Sequence, residues 1–126
     1  MSVPDDRRYA ETHEWFRLDG DLVTVGITQF AADELTDITY VDLPEAGVKV
    51  EAGDLCGEIE SVKATAELFC ALAGEIVEIN ATLSDQPELI NQDAHGQGWI
   101  YKLEPADPAA IDQLMTAKAY QEFVDQ

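Results

Sequence analysis

The chain has 126 residues, of which 46% are hydrophobic, and its 26 Asp and Glu side chains outnumber its 7 Lys and Arg side chains. This length and apolar content suffice for one domain with one core, which excludes an intrinsically disordered chain. The formal net charge of −19 disfavours nucleic acid and anionic membranes as partners, and it favours soluble partners with basic faces. Solubility alone explains the acidity equally well, and no apolar run approaches membrane-spanning length.

The first part of the chain predicts a β-hairpin followed by a short helix. Residues 15–18 and 22–27 are β-rich, and Asp19-Gly20-Asp21 between them is a strong hairpin signal. Thr28 can cap a helix that ends at Leu35, because its hydroxyl can accept from the first free backbone N–H groups. The residues expected to face inward from this helix are Phe30, Ala31 and Leu35.

The middle of the chain predicts short strands, and its end predicts small helices. Val48 and Val50 alternate with charged residues, as in a half-buried strand. Asp107-Pro108 is a good helix start, and that helix is expected to reach Met115. Thr116 can cap a second helix, whose apolar stripe is expected to pack on the sheet. The apolar stripe of the second helix consists of Tyr120, Phe123 and Val124. One helical turn is expected at residues 87–90. Further strands are expected at residues 38–43, 55–62, 66–72, 74–79 and 99–103.

These elements predict a mainly β fold, either a sandwich or a flattened barrel of antiparallel strands, with helices at the C-terminus. We expect one domain over residues 1–126, with a central hairpin region at about 47–80 and a C-terminal helical segment at about 107–125. Cys56 and Cys70 are too few for a disulfide framework. They lie seven residues either side of Lys63, so a cross-strand disulfide is conceivable, but buried free thiols are favoured.

No constellation of catalytic or metal-binding residues is visible. Ser61 and Ser84 lack a nucleophile-elbow pattern and an obvious base. His13 and His95, the only histidines, lack zinc-ligand spacing. The chain is therefore not expected to be an enzyme, and no metal site is expected.

Lys63 is the residue whose position suits a chemical role. It is the only basic residue between Lys49 and Lys102, and it lies between two β-rich segments. A lysine at a hairpin tip has an accessible amine and rigid flanks that a modifying enzyme can recognise, and acylation would remove its charge. Position alone favours an ordinary exposed lysine over a modified one. The acidic residues nearby in sequence are Glu58, Glu60 and Glu67.

The segment Glu60-Ser61-Val62-Lys63-Ala64 resembles the lipoylation motif of glycine cleavage system H proteins, and the resemblance covers nearly the whole chain. It includes residues 13–15, 24–28, 43–45, 74–80, 87–91 and 98–99. The sequence departs from the family pattern at Ala71, Cys56, Cys70 and Ala94-His95, none of which lies in the lysine motif.

The resemblance implies a barrel-sandwich hybrid of the lipoyl and biotinyl type, with lipoate joined covalently to Lys63. It also implies that Gly47 and Gly74, sixteen residues before and eleven after the lysine, shape the hairpin. Glu60 would help lipoylating enzymes to choose the lysine. Biotin carriers favour Met on both sides of their lysine, unlike Val62 and Ala64 here.

The function that the resemblance implies is that of a lipoyl carrier. A pyridoxal-phosphate glycine decarboxylase (P protein) would load an aminomethyl group, and a tetrahydrofolate-dependent aminomethyltransferase (T protein) would remove it. A flavin-dependent dihydrolipoamide dehydrogenase (L protein) would then reoxidise the arm. The loaded arm would fold into a cleft on the carrier, with Glu14 as the candidate partner of the cationic amine, Thr12 and His13 beside it, and Glu67 as a weaker candidate.

Three other functions compete with that of a lipoyl carrier. A lipoyl donor that relays lipoyl groups to other enzymes would need the same Lys63. A pure interaction module would leave Lys63 unmodified, and a stand-alone enzyme finds no support. We expect a monomer in the bacterial cytoplasm, or in the mitochondrial matrix if the chain is a trimmed eukaryotic form.

Overall fold

The computed structural model describes residues 3–125 and arranges their strands in two antiparallel sheets. The six-stranded sheet has the order β1-β2-β3-β9-β8-β5, and the three-stranded sheet has the order β4-β6-β7. The mainly β, two-sheet prediction is confirmed, and these strands form no single closed barrel. The strands are β1 (Arg8–Tyr9), β2 (Glu14–Asp19), β3 (Leu22–Ile27), β4 (Ile38–Asp42), β5 (Lys49–Val50), β6 (Asp54–Ser61), β7 (Thr65–Cys70), β8 (Gly74–Ile79) and β9 (Tyr101–Pro105).

The first hairpin forms as its sequence predicts. Asp19 pairs with Leu22, so the turn contains only Gly20 and Asp21. Gly20 has φ +64°, a conformation that glycine adopts without steric cost and that two-residue hairpins require. The strand prediction at 48–50 holds only in part, because Val50 is buried whereas Val48 is 42% exposed.

The helices begin where the sequence places their caps. Thr28 accepts from the backbone N–H of Ala31 at 3.2 Å, and Thr116 accepts from that of Ala119 at the same distance. Asp107 caps a segment that is a 3-10 helix and ends at Gln113, short of the predicted Met115. The helices are α1 (Gln29–Leu35), α2 (Thr82–Asp85), α3 (Leu89–Asp93), the 3-10 helix (Pro108–Gln113) and α4 (Ala117–Val124).

Two groups of buried apolar side chains hold the elements together. The larger group lies between the sheets and includes Phe16, Ile59 and Ile76. A smaller group joins Tyr9 and Trp15 to Tyr120 of α4. Burying a large apolar side chain contributes roughly 1.5–3 kcal/mol, so α4 is firmly attached through its predicted stripe. On α1 the buried side chains are Ala32 and Leu35, while Phe30 and Ala31 are half-buried.

The three-stranded sheet supports the predicted lysine. β6 pairs with β7 down to the pair Glu60 and Thr65, which leaves residues 61–64 as the tip. β4 lies on the other side of β6, with Tyr40 opposite Glu60. We call β6, this tip and β7 the lysine hairpin.

Candidate functional site

The tip of the lysine hairpin is held by one serine. The backbone N–H of Ser61 donates to the carbonyl of Ala64 at 2.8 Å. The Ser61 hydroxyl oxygen accepts from the N–H groups of Lys63 at 3.2 Å and Ala64 at 3.0 Å. The N–H of Val62 donates to the carbonyl of Asp37 at 3.1 Å. These bonds fix the backbone while the side chains of Val62 and Lys63 remain exposed.

The amine of Lys63 lies against the end of α1. Its Nζ donates to the backbone carbonyl of Glu34 at 2.9 Å. The last carbonyls of a helix have no partner within the helix and carry partial negative charge, so they attract an ammonium. This contact places the amine beside a cleft that Glu34 also lines.

The cleft has a volume of about 330 Å³, within the range of small-molecule sites. We call it the arm cleft. Its wall is largely apolar, and its polar residues lie on the loop before β2, on α1 and on β7. The apolar residues include Ile27, Phe30, Leu35 and Ile59, and the polar residues are Thr12, His13, Glu34 and Glu67.

Three of the four predicted docking residues, Thr12, His13 and Glu67, therefore lie together in the arm cleft. The fourth, Glu14, is not part of the lining and is only 1% exposed. Its carboxylate accepts from the hydroxyl of Thr12 and from the N–H of Phe69, the latter at 3.1 Å. Burial raises the pKa of Glu14 to about 7, although these hydrogen bonds favour its charged form. Whether the four residues bind an arm stays a prediction.

His13 has an unusual backbone and a defined partner. Its φ of +73° is a left-handed conformation that is uncommon for a residue other than glycine. Its Nδ1 lies 2.7 Å from the hydroxyl oxygen of Tyr120. Burial lowers the pKa of His13, and the nearby carboxylate of Glu34 opposes that shift.

Sequence reasoning missed Glu34, Ser61 and Tyr120 as site residues. Glu34 contacts the amine of Lys63 through its backbone carbonyl, and such a contact leaves no signal in the sequence. Ser61, two residues before the lysine, had a detectable signal, because a serine hydroxyl readily accepts from backbone N–H groups two or three residues on. The apolar stripe of α4 predicts Tyr120 only as a core residue, and Tyr120 does join that core.

The predicted recognition residues lie in different places. Glu60 is exposed on β6, immediately before the tip. Gly47 has φ +93° in the turn before β5, and its N–H donates to the carbonyl of Ile76 at 2.6 Å. A Cβ atom on Gly74 would lie 2.3 Å from the backbone oxygen of Glu104, so only glycine permits this approach.

Gly47 thus permits a turn beside the six-stranded sheet and Gly74 permits close packing within it, whereas Lys63 belongs to the other sheet. Their part in shaping the lysine hairpin stays a prediction, as does the role of Glu60 in recognition.

Both cysteines are free thiols, as expected, although Cys56 is only half-buried. The thiol of Cys56 donates to the hydroxyl of Tyr101 at 3.5 Å, and that of Cys70 donates to the carbonyl of Leu72 at 2.9 Å. Burial raises the pKa of Cys56 to about 12, so its reactive thiolate is scarce near neutral pH.

Residues 3–125 contain no group of three or more His, Cys, Asp or Glu side chains able to hold a metal ion. Within the same residues, no helix has the length and apolar character needed to cross a membrane.

Comparison with known proteins decides the family. A model of the glycine cleavage H-protein family matches residues 7–126. The chain belongs to this family. It is 48% identical to a glycine cleavage system H protein of Thermus thermophilus over 125 residues, which are 99% of this chain and 98% of that one. It is 45% identical to one of Anaeromyxobacter sp. strain K over 126 residues, which are 100% and 98% of the two chains.

The fold comparison agrees. A crystal structure of a glycine cleavage system H protein from Mycobacterium marinum superposes with a TM-score of 0.90 at 38% identity. It covers 98% of this chain and 100% of that one. Members of the family carry lipoate on a lysine, and this H-protein family member is a lipoyl carrier in glycine cleavage. The predicted family, fold and carrier function are therefore confirmed.

Proposed function

We propose that Lys63 is the lysine that carries lipoate in this chain. The observation that carries the proposal is the exposed amine at the rigid tip of the lysine hairpin, beside an apolar cleft. An enzyme that forms an amide needs access to the amine and a fixed backbone to recognise. Ser61 supplies that fixed backbone through its two hydrogen bonds to the tip. Glu60 precedes the tip and is exposed, which suits a role in recognition by lipoylating enzymes.

Acylation changes what the side chain of Lys63 can do. The ammonium has three donors and no acceptor, and it is attracted to the carbonyl of Glu34. The amide is neutral, has one donor and gains a carbonyl acceptor, so the attraction to the helix end weakens. The arm is then free to leave the carrier or to enter the arm cleft.

Lipoate supplies a dithiolane that accepts groups and electrons, and the chain supplies attachment, orientation and shelter. The wall formed by Ile27, Phe30 and Ile59 suits an aliphatic arm. The carboxyl groups of Glu34 and Glu67 at the cleft, and of Glu14 beneath Thr12, suit a cationic amine at the end of the arm. We propose that this arrangement shields the aminomethyl cargo from water.

The carrier then has no catalytic step of its own. It would receive the aminomethyl group at glycine decarboxylase, deliver it to aminomethyltransferase, and be reoxidised at dihydrolipoamide dehydrogenase. Attachment to the chain raises the effective concentration of the arm at each of these enzymes. The monomeric state, the cytoplasmic location and the single-domain boundaries stay predictions. A relay role would need the same amine and also stays a prediction.

Replacement of Lys63 tests the attachment site. The chain is expressed with lipoate and a lipoate ligase, and its intact mass and a peptide map are measured. We expect one lipoyl group on the wild type and none on Lys63→Arg. Lys49, which is also exposed but lies on β5, provides the matched control, so Lys49→Arg should be lipoylated normally. A lipoyl group that persists in Lys63→Arg, or one located on another residue, would refute the assignment.

A further inference from the structure

A chain of side-chain hydrogen bonds connects the arm cleft with the C-terminal helix. The hydroxyl oxygens of Thr28 and Tyr120 are 2.7 Å apart, and the Tyr120 hydroxyl oxygen is 2.7 Å from Nδ1 of His13. Thr28 and Tyr120 are fully buried, while His13 lines the cleft. The three residues belong to the start of α1, the middle of α4 and the loop before β2. A chain in which each hydroxyl donates to its next partner can run in only two directions.

The number of available acceptors selects one direction. The hydroxyl oxygen of Thr28 already accepts from the N–H of Ala31, and Tyr120 is its only other partner within residues 3–125. If Tyr120 donated to Thr28, the Thr28 proton would be buried without an acceptor, which is costly. If Thr28 donates to Tyr120, the phenol proton is directed to Nδ1 of His13, and both hydroxyl protons have acceptors.

We propose that Thr28 and Tyr120 hold His13 in the neutral tautomer whose proton is on Nε2, so that the arm cleft presents a neutral hydrogen-bond donor. Tyr120 is then a positioning residue that acts through His13. Protonation of Nδ1 would remove the acceptor of the phenol proton, so that one buried hydroxyl proton, of Tyr120 or of Thr28, would lack an acceptor. The network therefore opposes a cationic His13 in addition to the effect of burial.

The Nε2 proton of His13 can bind an acylated Lys63 but not an unmodified one. This step depends on the proposed attachment of lipoate at Lys63. Nε2 of His13 has no hydrogen-bond partner among the described residues, so its proton is available to an occupant of the cleft. The unmodified ammonium of Lys63 offers no acceptor to it. An acylated Lys63 offers the carbonyl oxygen of its amide, and a neutral imidazole does not repel a cationic amine on the arm.

The tautomer can be measured without lipoate. Two-bond 1H–15N spectra of the unmodified full-length chain distinguish the two neutral tautomers, and a His95→Gln variant assigns the signals of the two histidines. We expect a protonated Nε2 on His13 in the wild type and a mixture of tautomers in Tyr120→Phe. Tyr9 stacks on Tyr120 at 4.8 Å but its hydroxyl binds Pro4, so Tyr9→Phe removes a hydroxyl from the same cluster as a control.

The wild-type tautomer should persist in Tyr9→Phe. A protonated Nδ1 in the wild type, or an unchanged tautomer in Tyr120→Phe, would overturn the proposal. Loss of folding in Tyr120→Phe would be recognised by its amide spectrum, and the wild-type tautomer then decides the proposal, because it is measured without a substitution in the hydrogen-bond chain.

A second measurement tests the effect on the arm. The lipoylated carrier is loaded by glycine decarboxylase, and the lifetime of the loaded state is measured after the decarboxylase is removed. We expect Tyr120→Phe to shorten that lifetime by about fivefold, the effect of one hydrogen bond, and Tyr9→Phe to leave it unchanged. Equal lifetimes with an altered tautomer would refute the positioning role. Failure to lipoylate the wild type would instead refute the proposed function, and the tautomer result would still stand.

Discussion

The carboxyl group of Glu14 lies beneath the arm cleft, between the hydroxyl of Thr12 and the backbone of Phe69. Burial raises its pKa to about 7, so part of the population is protonated near neutral pH. A cationic amine entering the cleft would favour the ionised form and lower that pKa. Docking would then release a proton from Glu14, and it would strengthen as the pH rises to about 7 and become constant above that value.

Glu14→Gln tests this coupling, because an amide of similar size cannot ionise. The lifetime of the aminomethyl-loaded carrier is measured at pH values of about 6 and about 7.5, on either side of the raised pKa. We expect the wild type to exceed Glu14→Gln in lifetime at both pH values, and by a larger ratio at the higher one. The ratio of lifetimes removes the pH dependence of the hydrolysis reaction itself.

Glu67→Gln is the matched control for this prediction, because Glu67 lines the cleft but is exposed. Its lifetime relative to the wild type should vary little between the two pH values. A ratio for Glu14→Gln that does not change with pH would show that the ionisation of Glu14 plays no part in docking.

At the level of secondary structure, the sequence predicts the features that depend on contacts within a few residues, such as helix caps and turns. Thr28 and Thr116 cap helices within three residues of themselves, and the turn at Gly20 is determined by its own backbone. The tip at Lys63 was predictable for the same reason. The 3-10 form of residues 108–113 was not, because the choice between two closely similar helices depends on packing rather than on caps.

The arm cleft itself could be predicted only through the family resemblance. Tyr120 lies 107 residues from its partner His13, and Glu34 lies 29 residues from Lys63. No periodicity or spacing connects such pairs, since the packing of α1 and α4 on the sheets brings them together. The position of Glu14 below the lining, rather than in it, likewise depends on how β2 faces β7.

The three-stranded sheet places three carboxylates in a row across its strands. Asp42 lies directly opposite Glu58 on the neighbouring strand, and Glu58 lies directly opposite Glu67 on the next. We call these three residues the carboxylate row. Like charges opposite each other destabilise a sheet, so the row weakens the element that bears the lysine hairpin. In the six-stranded sheet Glu75 lies opposite both Glu104 and Lys49, and Glu78 lies opposite Lys102.

Neutralising one glutamate in each sheet should therefore have opposite effects. We expect Glu58→Gln to raise the free energy of unfolding by roughly 0.2–1 kcal/mol, and Glu78→Gln to lower it by a similar amount. Urea unfolding at low salt measures both, and both effects should shrink at about 1 M salt because of screening. Effects of the same sign in the two variants would contradict this electrostatic explanation.

At the scale of the whole molecule, the net charge of −19 gives the carrier a strongly negative field. The carboxylate row and Glu60 add negative charge to the sheet that bears Lys63. A partner with a basic face would be attracted over a distance, and the attraction would orient the lysine hairpin towards it. The repulsion within the carboxylate row then destabilises the sheet, but the same charges provide a surface that speeds the encounter with a basic partner.

This interpretation predicts the salt dependence of loading by glycine decarboxylase. With the carrier as the varied substrate, kcat/KM should fall by about tenfold between low and physiological salt, because screening weakens long-range attraction. The kcat should change little, since it reports the steps that follow the encounter of the two proteins. Glu58→Gln should reduce the slope, whereas Asp21→Asn, at an exposed turn of the other sheet, should leave it near the wild-type value. A kcat/KM that is independent of salt, or equal slopes in the two variants, would show that the charge serves solubility rather than partner encounter.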